Sequence, residues 1–308
     1  MKNIQADIKS GNFKQVYLLY GEEAYLKQQY KQNLVKALNP DGDTMNFNHY
    51  EGKGIDVKQL IDLCETMPFF AERRVVLLED TGFFKNKCEE LADYMKELPD
   101  YLYLVFAETE VDKRNRMYKA VKACGSIAEF IRQDEKTLMR WAAGILGKAG
   151  KKITQRDMEL LLTKTGTDMG NLRMEMEKLI SYTEGRDVVT AEDIEEICTT
   201  QTTNRIFDMV RAVTEKNQKR ALELYYDLLT LKEPPMRILF LLAKQYRQLL
   251  LAKQFAAAGL AQTEIASKLG VPGFVVRNIT TCARAYTISE LEQAVKDFVD
   301  AEESVKTG

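Results

Sequence analysis

Between residues 16 and 131, short apolar runs alternate with longer amphipathic ones. Val16-Tyr17-Leu18-Leu19-Tyr20 is apolar or aromatic throughout and ends at Gly21, as expected of a strand buried on both faces of a parallel sheet. A helical pattern starts at Glu22 and Glu23, continues to Leu38 and stops at Asn39-Pro40. The same alternation predicts strands over 45–50, 75–79, 101–107 and 127–131, with helices over 57–65, 87–98 and 113–124. Strands separated by helices predict an α/β fold whose parallel sheet is covered on both faces.

From Asp134 onward the strand signals stop. Leu138, Trp141, Ala142, Ile145 and Leu146 form one helical stripe, and the lone Trp141 falls inside it, which assigns that ring to packing. Met158, Leu161, Leu162 and Thr165 form a second stripe. After a break at Gly166-Thr167-Asp168, Leu172, Met176, Leu179 and Ile180 form a third. Thr190 and Asp193 can cap a fourth helix. The remainder reads as helices over 204–214, 218–230, 235–258, 263–269, 274–286 and 289–304, the last with Ser289 and Glu292 as a capping box. Three domains are expected: α/β over 1–133, a small helical domain over 134–202 and an all-helical one over 203–308.

With 308 residues, 45% hydrophobic and 29% charged, the chain is long enough for several cores. A formal charge of -2 excludes nucleic-acid binding driven mainly by net charge. Cys64, Cys88, Cys124, Cys198 and Cys282 show no zinc-site spacing and read as reduced thiols of a cytosolic protein. MKNIQADIKSGNF lacks the apolar core of a signal peptide, and no run approaches the roughly 20 apolar residues of a membrane span. The expected location is the cytoplasm, with no membrane partner.

In such a sheet the turn after the first strand is where a phosphate-binding loop would sit, and that loop requires G-x-x-x-x-G-K-[ST]. Here the turn is Gly21-Glu22-Glu23-Ala24-Tyr25, whose two acids would repel a triphosphate. The Gly-Lys pairs at Gly52-Lys53 and Gly147-Lys148 lack the following hydroxyl residue. Asp80, after the apolar run 75–78, is the candidate for a magnesium-linked acid. Without the lysine, hydroxyl and glycines it reads as a solvated strand end. His49, the only histidine, has no nucleophile placed beside it by any motif. No catalytic, nucleotide-binding or metal-binding residue is expected, and no cofactor. Thr263 to Pro272 reads like the first helix and turn of a helix-turn-helix. The following segment, Phe274 to Cys282, offers only Arg277 and Asn278 for bases and phosphates, so a bundle corner is the better reading.

This order of parts, with YLLYGEEAYL, LLTKTGTDMGNLRMEMEKLI and the closing Val305-Lys306-Thr307-Gly308, resembles the delta-subunit family of the bacterial DNA polymerase III clamp loader. The resemblance implies an AAA+-like domain with a RecA-type parallel sheet and no P-loop, then a helical lid and an all-α collar. It implies a non-hydrolysing member of a heteropentameric ring within a DNA-directed DNA polymerase holoenzyme, beside ATP-hydrolysing subunits. Such a subunit binds the DNA sliding clamp and opens one clamp interface so that primer-template DNA can enter.

The family's clamp-binding element is a helix end bearing a Met-x-Leu-Phe wedge. LCETMPFFAERR is similar to it, with Met67, Phe69 and Phe70 in the wedge positions, phenylalanine replacing leucine and Pro68 as a local difference. By residue type alone these three belong in a core. Yet Val57, Leu60, Ile61 and Cys64 already give the preceding helix an inward face, and Pro68 pushes Met67 towards an extended conformation. An outward wedge is therefore expected. Arg73 and Arg74 read as local surface pairs, and DNA-contacting residues are unassigned. Two other functions remain open from the residues: an autonomous AAA+-type NTPase with a degenerate loop and Asp80, and a helix-turn-helix regulator using 263–282.

Overall fold

A computed structural model describes residues 2–199 and 202–307, with the backbone alone for 2, 202–204 and 274. Gly308, which ends one of the stretches carrying the resemblance, lies outside the described residues. The chain divides into two compact units, Met1–Gln133 and Asp134–Gly308.

The first unit runs α1 (Lys2–Ser10), β1 (Val16–Tyr20), α2 (Ala24–Leu38), β2 (Phe47–Glu51), α3 (Val57–Glu65), β3 (Arg74–Glu79), α4 (Glu89–Tyr94), β4 (Leu102–Glu108), α5 (Arg116–Cys124) and β5 (Ser126–Glu129). Its five strands are ordered β2-β3-β4-β1-β5, and every pair is parallel. Because successive side chains point to opposite faces, the apolar runs feed two cores. Val16, Leu18, Val76, Leu78, Leu104 and Phe106 pack against Leu60 and Cys64 of α3, Leu91 of α4 and Val121 of α5. Tyr17, Leu19, Val75, Leu77 and Val105 pack on the other face against Ile4 of α1 and Leu34 and Leu38 of α2. The expected α/β architecture, a parallel sheet covered by helices on both faces, is present.

Helix α1 was not expected. It carries a single apolar pair, Ile4 and Ile8, too little to stand out as a periodic stripe, and tertiary packing recruits it. A hydrogen bond from Tyr17 Oη to Asp7 Oδ2 (2.9 Å) ties it to β1.

The second unit runs α6 (Glu135–Lys148), β6 (Lys152–Ile153), α7 (Gln155–Thr165), α8 (Met169–Tyr182), β7 (Val188–Val189), α9 (Ala191–Ile197), α10 (Thr202–Thr214), α11 (Gln218–Thr230), α12 (Pro235–Ala257), α13 (Gln262–Leu269), α14 (Gly273–Ala283) and α15 (Ile288–Thr307). It is mostly helical, as expected, but the strand signals do not stop completely. Strands β6 and β7 pair in parallel, Lys152 with Val188 and Ile153 with Val189, and two residues each are too few to show a period. Ala142, Leu146, Leu161, Leu172, Met176 and Leu179 form the core of α6–α9, with Trp141 packed against it. Ile238, Tyr246, Leu249 and Ala252 of the long α12 are buried among its neighbours.

The box predicted at Thr190 and Asp193 is formed: Thr190 N–H donates to Asp193 Oδ2 (2.9 Å) and Asp193 N–H to Thr190 Oγ1 (3.4 Å). The one predicted at Ser289 and Glu292 sits instead on Thr287 and Glu290. Thr287 N–H donates to Glu290 Oε2 (2.6 Å) and Glu290 N–H to Thr287 Oγ1 (3.2 Å), because the helix begins at Ile288, two residues before the start that a Ser289 cap requires. Among the described residues no helix is long and apolar enough to cross a membrane.

Candidate protein-binding site

Two connections of the first unit bear on the expected functions, and the turn after β1 comes first. Phe130 N–H donates to Tyr20 O (2.7 Å), and Glu23 N–H donates to Phe130 O (3.0 Å). The backbone following β5 thus takes up one amide of the turn where a phosphate-binding loop would sit. Gly21 permits this approach: its φ is +124°, and a Cβ there would lie 2.3 Å from Phe130 O. Glu22 sits 3.4 Å from the Arg132 guanidinium on the surface.

The charged groups at the strand ends also satisfy one another. Lys31 Nζ lies 2.5 Å from Glu79 Oε2, and His49 Nε2 lies 2.9 Å from Glu79 Oε1. Lys27 Nζ donates to Glu108 O (2.9 Å), and burial pushes its pKa down. Asp80 Oδ1 accepts from Thr109 N–H (2.8 Å), which gives the candidate magnesium acid a structural partner at the end of β4. Among the described residues no three His, Cys, Asp or Glu side chains are grouped so as to hold a metal. In the second unit, α14 buries Val276, Ile279 and Cys282, and Arg277 Nη2 lies 3.5 Å from Glu159 Oε2 of α7. The side chain on which a base- or phosphate-reading role would fall is thus paired with a carboxylate of the same unit.

The second connection, between α3 and β3, behaves in the opposite way. Asp56 Oδ1 caps the start of α3, accepting from Lys58 N–H (2.9 Å) and Gln59 N–H (3.3 Å). Leu60 and Cys64 fill the core beneath the helix, and burial pushes the Cys64 thiol up to about 12, an inert packing group. The helix stops at Glu65, and Thr66 is already extended, two residues before Pro68. Met67, Phe69 and Phe70 therefore lie in the loop beyond the helix rather than on its last turn. They are 74, 57 and 94% exposed. The Phe69 and Phe70 rings meet edge to face with centroids 4.5 Å apart. Phe70 has φ +50°, a left-handed conformation uncommon for a bulky residue.

The first unit has five exposed large apolar side chains among its described residues: Met45, Met67, Phe69, Phe70 and Ile131. Three belong to this loop, and Met45 precedes a residue that grips it, so apolar exposure is concentrated at one corner. Left in water, each such side chain forgoes roughly 1.5–3 kcal/mol that full burial would yield.

The loop's backbone is held from below by two buried side chains. Phe69 N–H donates to Asn46 Oδ1 (2.7 Å), while Asn46 Nδ2 donates to Phe69 O (2.9 Å) and to Asp43 Oδ2 (2.5 Å). The Asn46 amide holds the Asp43 carboxyl below the usual carboxylate range. Arg74 Nε donates to Thr66 O (2.8 Å), Nη2 to Met67 O (3.3 Å) and Nη1 to Asn48 Oδ1 (3.1 Å). Tyr101 Oη donates to Glu65 O (2.8 Å), the last carbonyl of α3. These contacts correct the reading of the two arginines as surface pairs. Arg74 is buried and works on the loop, and the Arg73 guanidinium lies over the Phe13 and Tyr103 rings at 5.3 and 5.4 Å. Asn46 and Met45 were missed altogether. Within Met45 to Tyr50, Asn46 is no more conspicuous than Asn48 or His49, so the local pattern carried no signal for it.

Comparison with known proteins gives a consistent picture. The sequence model of the family described as DNA polymerase III, delta subunit matches residues 17–130, and that of the DNA polymerase III delta subunit, C-terminal domain matches 203–308. The chain is 26% identical to the DNA polymerase III subunit delta of Bacillus subtilis (strain 168), over 99% of this chain and 92% of that protein. It is 22% identical to the probable DNA polymerase III subunit delta of Aquifex aeolicus (strain VF5), over 83% of this chain and 75% of the relative. Among solved structures, the Bacillus subtilis DNA clamp loader delta protein superposes with a TM-score of 0.66 at 24% identity, covering 100% of this chain and 94% of that one, a likeness of fold.

Proposed function

Since the chain belongs to the DNA polymerase III delta-subunit family, we propose that it is the clamp-loader subunit that grips the DNA sliding clamp through Met67, Phe69 and Phe70. The observation that carries this reading is the display of three large apolar side chains on a loop whose helix already has a complete inward face. Burying all three in a partner pocket would yield on the order of 5 kcal/mol gross, enough for an interface hot spot.

The wedge opens the clamp by differential affinity. It binds a clamp with one interface parted more tightly than a closed one and so shifts the clamp's own equilibrium. The chain performs no hydrolysis, a reading supported by the acidic turn after β1 and by the commitment of the Glu23 amide to Phe130 O. ATP binding in neighbouring subunits controls access to the wedge. Residues 1–133 carry it, 134–202 form a lid, and 203–308 form the collar joining a heteropentameric ring through which primer-template DNA passes. The assembly works in the cytoplasm as part of the polymerase holoenzyme.

A pull-down with the cognate clamp and the ATP-hydrolysing subunit tests this reading. Met67→Ala combined with Phe70→Ala should weaken clamp binding by about 100-fold or more, at roughly 1.5–3 kcal/mol per side chain, and leave loader assembly intact. Unchanged clamp affinity would sink the assignment.

A further inference from the structure

The loop between α3 and β3 is exposed, carries no regular secondary structure and holds one residue at positive φ, yet its main chain is fixed at Thr66, Met67 and Phe69. Asn46 addresses Phe69 with both halves of its amide, one accepting at 2.7 Å and one donating at 2.9 Å, the pairing a neighbouring strand would offer. Arg74 spans Thr66 O and Met67 O with two of its nitrogens and spends the third on Asn48. Both side chains are buried, although nothing in packing the sheet requires an amide or a guanidinium there. A loop serving only to join α3 to β3 could leave these carbonyls and this amide to water at little cost.

We propose that Asn46 and Arg74 are positioning residues that hold the Thr66–Phe70 backbone in its binding conformation before the partner arrives, so that clamp affinity depends on them although neither side chain reaches the surface. This rests on the wedge reading above. The gain is entropic: a free segment bearing the same three side chains would have to order its backbone on binding, and the bracket has already done so. The strained φ at Phe70 fits a loop held by its surroundings in a conformation it would not adopt alone.

The test uses the full-length chain and the isolated clamp. Asn46→Ala should weaken clamp binding about tenfold, the scale of an ordering cost spread over a few residues. The unfolding midpoint should stay near that of the wild type, and amide hydrogen exchange should accelerate at Phe69 and its neighbours but not in β2 or β3. Combined with Phe70→Ala, the losses should be less than additive, because a loop stripped of its ring has less to gain from being held. Arg74→Lys, which keeps the charge but not the fork, should give a smaller loss of the same kind. If Asn46→Ala fails to fold, Asn46→Asp serves in its place. It can still accept from Phe69 N–H but presents a carboxylate to Phe69 O and Asp43, and it should bind more weakly than wild type. Full affinity in both Asn46 and Arg74 variants, with Phe70→Ala weakened, overturns the positioning role and leaves the wedge standing. Full affinity in Phe70→Ala removes the wedge and this inference with it.

Discussion

The turn after β1 and the loop after α3 are both short connections in the same unit, and each holds a residue at positive φ, Gly21 at +124° and Phe70 at +50°. They use it for opposite ends. At Gly21 the backbone bends so that another stretch of backbone can lie against it, and the Glu23 amide is closed off by Phe130 O. At Phe70 the bend throws a ring into solvent while the main chain is braced from beneath. In a sheet of this kind the turn after the first strand is where a phosphate-binding loop would sit; here backbone from Phe130 packs against that turn, whereas the loop after α3 turns its side chains to solvent.

The comparison can be broken most forcefully at its closed end. Gly21→Ala should destabilise the chain by on the order of 3 kcal/mol in urea unfolding, because the new methyl meets a carbonyl oxygen that belongs to the main chain. A loss below about 1 kcal/mol would mean that this turn yields easily and has room to become a ligand loop. Titration of the isolated chain with ATP and magnesium asks the same question directly. No binding is expected, and micromolar affinity with turnover would instead favour an autonomous NTPase.

At the open end, Phe70→Gly should leave stability within about 0.5 kcal/mol of wild type, since the ring packs on little besides Phe69 and glycine accepts the same φ. Clamp binding should nevertheless fall by about tenfold or more. The smallest effect belongs to the closed side. Glu108, paired in register with Tyr20, accepts from Thr81 Oγ1 (2.6 Å) and Thr81 N–H (3.1 Å), yet burial raises its pKa. The folded chain therefore keeps this proton at a pH where the unfolded chain has lost it. Its contribution to stability is greatest at low pH and falls as pH rises from the ordinary glutamate range through the raised value. Glu108→Gln should flatten that part of a melting-temperature profile taken between about pH 4 and 7, and an unchanged slope would place the titration elsewhere.

Much of the fold was legible because the sheet is buried on both faces. A run such as Val16 to Tyr20 has no polar side to confuse its reading, and those that became β3 and β4 are of similar kind, whereas β2 and β5 lie at the sheet's edges with mixed patterns. Helix α1 was not legible, since Ile4 and Ile8 make no stripe until the sheet is present to receive them. The shifted capping box has a different cause: Thr287/Glu290 and Ser289/Glu292 satisfy the same local pattern, and the start of the helix decides between them. In the candidate site, the outward direction of Met67, Phe69 and Phe70 followed from an inward face already filled by Leu60 and Cys64. The role of Arg74 did not follow. A charged residue beside another charged residue reads as surface, and its partners are two backbone carbonyls and an asparagine on a different strand, none of which leaves a trace in local pattern.

The bonds from Asn46, Arg74 and Tyr101 to the loop and the end of α3 all terminate on main-chain atoms. The arrangement is that of a chuck that clamps any shank and is indifferent to the bit. Side chains at 67, 69 and 70 take no part in these bonds and can be exchanged for others of different size without loosening the mount, so the exposed face of the loop can vary while the sheet beneath keeps its sequence.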